Sequence, residues 1–134
     1  MNDLPAPTEL AAEDRKLITL ARATRARTGA REGAACRDLD GRTYAAATVD
    51  LPSLRVSAIG VCVAMAIASG SKGLEAVVVL TDRSGTDQPG TDQPGTDQPG
   101  VAEADLAIVR DFAGEGVPVL LADARGVVGM AARS

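Results

Sequence analysis

EGAACRDLDGRTYAAATVDLPSL, residues 32–54, decides how the rest of the chain reads. GAACRD and RTYAAATV are runs of small and β-branched residues on either side of Asp40-Gly41, a dipeptide that tolerates the positive φ of tight hairpin turns. The segment is therefore expected to form an antiparallel pair of strands. Pro52 and Ser53 end the second strand. Ser53 reads as the N-cap of a helix, LRVSAIGVCVAMAIAS, that runs to Gly70 and Gly73. That helix is apolar nearly all round, which predicts burial under a sheet or against another subunit.

Beyond it, LEAVVVL is a continuous β-branched run between Gly73 and Thr81, the pattern of a strand covered on both faces. VPVLLAD, from Val117, has the same character. Between them VAEADLAIVRDF spaces Val101, Leu106, Val109 and Phe112 as one face of an amphipathic helix, ended by Gly114 and Gly116. Strand, helix, strand in that order predicts a right-handed parallel crossover. GVVGM offers a short last strand. On the N-terminal side a first helix is expected after Thr8, read as its N-cap, with Leu10, Leu17, Ile18 and Ala21 on one side and Gly29 as its stop. Arg22, Arg25 and Arg27 crowd its end, where cations suit the helix dipole. They read as a solvated helix end, with an anion-binding patch as the alternative.

The remaining segment, Thr81 to Gly100, is TDRSG followed by three copies of TDQPG. It carries no apolar residue to bury, and residues 82–100 are expected to be a flexible loop of turns. The 134 residues make one domain, 1–134, of α/β class: a mixed sheet of about five strands with an N-terminal hairpin, a parallel crossover and helices on both faces.

Composition excludes several functions. A net charge of −4 gives no broad attraction for phosphate backbones or anionic lipid, so neither nucleic acid nor a membrane is an expected partner. Val56 to Ala68, the longest apolar stretch, is too short to cross a bilayer. Two cysteines, Cys36 and Cys62, and no recognisable signal peptide point to a reduced, cytoplasmic protein. With no histidine, the chain lacks the commonest general base and metal ligand and every Ser/His or Cys/His nucleophilic pair. Both cysteines read as core thiols. GSKG, around Lys72, follows a helix and precedes a strand, the reverse of a phosphate loop.

EGAACRDLDGRTYAAATVDLPSL followed by SAIGVCVAMAIASGSKGLEAVVV resembles the cytidine deaminase family over about residues 15–82. Members typically have a VGAAL-like strand, a DGR-like turn, a GCNVENAS-like strand and a helix opening with CAE. The resemblance implies a three-layer α/β/α fold, zinc-dependent deamination of cytidine, and a dimer or tetramer. It also shows where the chain departs from the pattern. Ser57 stands where CAE has its cysteine and Ile59 where it has its glutamate; PGVAEAD, with Pro99 and Gly100, stands where PCxxC should open the crossover helix. Zinc deaminases need three His or Cys ligands to activate water and a glutamate to shuttle protons. The site therefore implies no metal, no cofactor and no catalytic residue. Thr48 and Asp50 match the sugar-binding Asn and Glu of NVEN and are the candidate substrate-binding residues; Ala30 replaces an aromatic residue. Three functions remain open: a non-catalytic homo-oligomeric scaffold or interaction protein, a sensor that keeps a pocket for a pyrimidine nucleoside or nucleotide, and a hydrolase of altered chemistry.

Overall fold

A computed structural model describes residues 10–81 and 101–134. Two expectations lie outside them, the cap at Thr8 and the repeat loop at 82–100.

The first helix, α1 (Ala12–Thr28), buries Leu17, Ile18, Ala21 and Thr24 and stops at Gly29, whose φ of 69° is one that side-chain-bearing residues rarely adopt. A hairpin follows, β1 (Glu32–Asp38) and β2 (Thr43–Ala47), paired antiparallel from Gly33↔Ala47 to Arg37↔Thr43. Its turn uses Gly41 at φ 86°, as the Asp40-Gly41 dipeptide predicts. Next come two short strands, β3 (Val49–Leu51) and β4 (Leu54–Val56), then α2 (Ala58–Ala68), β5 (Leu74–Thr81), α3 (Glu103–Ala113), β6 (Pro118–Ala122) and β7 (Val128–Arg133).

Five strands form one sheet in the order β2-β1-β5-β6-β7, in which only β5 and β6 run parallel. The continuous apolar run of β5 is explained by cover on both faces. Ala76, Val78 and Leu80 meet Leu17, Ile18 and Ala21 of α1, while Val77 and Val79 meet Ile59, Cys62 and Val63 of α2 and Val109 of α3. The result is the expected three-layer α/β/α arrangement. With almost no aromatic side chains to fill space, the layers approach closely. A Cβ on Gly33 would stand 2.4 Å from the Ala21 carbonyl oxygen and 2.7 Å from Arg25 Cβ, so α1 lies directly on the start of β1.

One boundary differs from expectation. α2 begins at Ala58 with Ser57 as its cap, and residues 54–56 are a strand paired to 49–51. Pro52 and Ser53 are the two-residue turn between them, with Leu51 opposite Leu54 and Asp50 opposite Arg55. Proline fixes a φ that suits a turn as well as a helix start, and the alternation of Leu54, Arg55 and Val56 outweighs the cap signal at Ser53.

Candidate functional site

The single parallel pair in the sheet locates the site, because at the carboxyl ends of such strands the crossover opens a crevice. There, Thr81 ends β5, Ala122 ends β6 with Asp123 just beyond it, and the first turn of α3 stands above them. Ser57 arrives from the other side as the N-cap of α2, accepting the Gly60 N–H at 3.0 Å. Its hydroxyl donates to Asp105 Oδ1 at 2.6 Å. Asp105 is buried in the first turn of α3, where a carboxylate also favours the helix dipole and offsets the missing side-chain cap at Ala102. One hydrogen bond thus ties the N-termini of both helices together.

Beside this link lies a cavity of about 270 Å³ that opens to solvent. Its apolar wall includes Val79, Val101, Leu121, Val127 and Met130; its polar groups include Glu32, Asp105 and Asp123. Among the described residues, no lysine or arginine lines it. Asp123 anchors the turn into β7, accepting the backbone N–H of Arg125 at 2.9 Å and of Val127 at 3.0 Å and pairing with the Arg125 guanidinium at 3.3 Å. The Val127 amide, against an opposing effect of burial and with further help from Arg125, holds its carboxyl below the ordinary value.

The candidate substrate residues named from sequence lie apart from this link. Thr48 continues β2 alongside β1: its hydroxyl accepts the Glu32 N–H at 3.2 Å and approaches the Glu32 carbonyl at 3.3 Å. Asp50 is exposed on the β3–β4 hairpin, 3.5 Å from Arg55 Nε. Thr48 therefore adjoins the cavity through Glu32, whereas Asp50 stands on a separate two-stranded sheet. Ile59 is fully buried in the core under α2. Asp105 and Asp123 were not singled out by the sequence reading, although an acid in the first turn of a crossover helix, and one just after a β-branched strand, is the signal that the crevice rule supplies.

A second buried polar cluster lies at the far end of α2. Asp38, at the end of β1, accepts the Ser71 hydroxyl at 2.5 Å, the Tyr44 hydroxyl at 3.3 Å and the backbone N–H groups of Asp40 and Arg42, each at 2.9 Å. The Ser71 hydroxyl is the main cause that holds this carboxyl below its ordinary value; burial opposes it, and the two amides and Tyr44 add to it.

The donor set does not fit the zinc of zinc-dependent deaminases. Ser57 Oγ is already engaged on both sides, and among the described residues no three His, Cys, Asp or Glu side chains converge on a point. Cys36 and Cys62 are both free and fully buried, in the core between β1 and α2. Contact with Cys36, together with burial, pushes the Cys62 thiol far above its ordinary value, so it is neither a nucleophile nor an available thiolate ligand.

The same architecture occurs in solved cytidine deaminases. The enzyme from Burkholderia pseudomallei superposes with a TM-score of 0.69 at 20% identity over 92% of each chain. That from Mycobacterium leprae gives 0.61 at 18% identity over 90% of this chain and 93% of the other. That from Mycobacterium tuberculosis gives 0.59 at 18% identity over 83% and 85%. Such identities carry the fold and nothing about chemistry. No curated protein matches the sequence. No helix among the described residues is long and apolar enough to cross a membrane. The family model for cytidine deaminase-like proteins matches residues 10–94, well over half the sequence, and the chain belongs to that family.

Proposed function

We propose that this family member has given up zinc-dependent deamination and works by association, as a homo-oligomeric scaffold or interaction protein in the reducing cytoplasm. The observation that carries this reading is the Ser57–Asp105 hydrogen bond: Ser57, which aligns with the family's first thiolate, is engaged with another side chain, and Ile59, which cannot carry a proton, lies two residues on in the core. Support for association comes from α2, which has no charged residue and leaves Ile67 about half exposed beside the exposed Ala64 and Ala68. Metal analysis of the purified protein together with a cytidine turnover assay tests the first part: stoichiometric zinc with turnover overturns it. Light scattering at micromolar concentration tests the second, and a stable monomer overturns that part.

A second reading is a sensor that holds a pyrimidine nucleoside in the cavity, with its sugar reaching out to Thr48, which adjoins the cavity through Glu32, and to Asp50 on the β3–β4 hairpin. On this reading cytidine or uridine raises the melting temperature and Asp50→Ala abolishes the rise. No rise with any pyrimidine nucleoside removes it.

A further inference from the structure

We propose that Cys36 and Cys62 are a redox-active pair: they close into an internal disulfide that latches β1 to α2, with a low-molecular-weight disulfide as the oxidant.

The pairing is built into the core. Cys36 lies in the middle of β1 and Cys62 in the middle of α2, and neither side chain is exposed. Cys36 stands opposite Tyr44 across the β1–β2 hairpin, and the Cys62 thiol donates to the Tyr44 carbonyl at 3.6 Å. The same thiol is in hydrogen-bonding contact with Cys36. Side chains that meet in this way have converging Cβ vectors, which a bridge between two elements needs if the backbone is not to move. Their neighbours Ala34, Ala46, Ala58 and Ala66 are small, so α2 lies close on the sheet. These are also the chain's two cysteines, so no third thiol competes for either partner.

The packed core governs when the bond forms. Burial and the contact with Cys36 keep Cys62 protonated, so exchange waits for a local opening. The edge strand β2 covers the pair, and its lifting gives entry. One cysteine then attacks the small disulfide, forming a mixed disulfide and releasing one thiol. The other attacks the protein sulfur of that adduct and releases the second thiol, which takes up its proton. Two protein thiols thus lose two protons and two electrons, and the oxidant leaves as two thiols. When β2 closes again, the same burial shields the bond from reductants.

The latch depends on neither association nor nucleoside binding. The test incubates the reduced full chain with excess 2-hydroxyethyl disulfide, in buffer and in urea below the unfolding transition, until its composition is constant. Mass spectrometry should then find the chain lighter by two hydrogens, with the Cys36 and Cys62 peptides joined. The bridged chain should melt about 10 °C higher, because the bond closes a loop that holds β2, the β3–β4 hairpin and the start of α2. Dithiothreitol should reverse both changes, at least about tenfold more slowly in buffer than in urea. Cys36→Ala and Cys62→Ala should each show no rise. If either variant does not fold, the joined peptides and the melting shift of the wild type decide. The proposal is overturned by adducts on both cysteines, by a disulfide between chains, by a bridged chain that melts lower, or by two free thiols after equilibration in urea.

Discussion

Each end of α2 is fastened by a serine and an aspartate, and the two fastenings differ in what is left over. At the C-terminal end Asp38 receives four donors, from Ser71, Tyr44 and two backbone amides, and has no accepting capacity to offer anything else. At the N-terminal end Asp105, among the described residues, receives one, from Ser57, and lines a cavity. A saturated buried carboxylate is structural: it fixes the β1–β2 turn against the start of β5. An unsaturated one is costly to the fold unless solvent or a ligand completes it. The same residue pair is thus closed at one end and open at the other, and completeness of hydrogen bonding, more than residue type, tells them apart.

Removing the saturated carboxylate should have the largest effect. Asp38→Ala strands four donors, two of them backbone amides, and is expected to lower the melting temperature by about 10 °C in calorimetry. A change near zero would show that the far cluster is not structural. Ser57→Ala comes next: it removes the helix cap and leaves Asp105 without its donor, for a loss of about 2 kcal/mol in urea unfolding. Asp105→Asn should cost less than about 1 kcal/mol, because the amide oxygen still accepts from Ser57. If Asp105→Asn proves as damaging as Asp38→Ala, the contrast between the two ends fails.

Acid sharpens the same contrast. Asp38 and Asp123 have folded-state values below the ordinary 3.8, so each contributes stability that is fully present above that pH and is lost as pH falls through the lower folded value. Unfolding midpoints should therefore fall steadily below about pH 4. In Asp38→Asn the slope over this range should be shallower than in the wild type. The smallest expected effect is that of Ser57→Cys. One thiol adds a single ligand where zinc needs three or four, so metal analysis should find no stoichiometric zinc.

Most of the architecture was legible in the sequence because its signals were local. The Asp40-Gly41 turn, the β-branched run at 74–80 and the 3.6-residue spacing after Val101 each name an element without reference to anything distant. The start of α2 was misplaced because Pro52-Ser53 is as good a hairpin turn as a helix entry, and only the pairing of Asp50 with Arg55 and of Leu51 with Leu54 decides between them. The departure from the family motifs was legible, but the hydrogen bond that stands there was not. Ser57 and Ile59 could be aligned with a motif. The partner of Ser57 lies 48 residues on, however, and an aspartate in the first turn of a helix reads equally well as a favourable dipole charge. Likewise, matching Thr48 to a sugar-binding position could not show that its hydroxyl faces the Glu32 backbone.

A clasp built from a hydroxyl and a carboxylate draws on nothing outside the chain. Where a metal joins two helices, the folded fraction follows the supply of that metal and the chelators that compete for it. Here the N-termini of α2 and α3 are joined by groups that the chain itself carries, so this join is completed by folding alone.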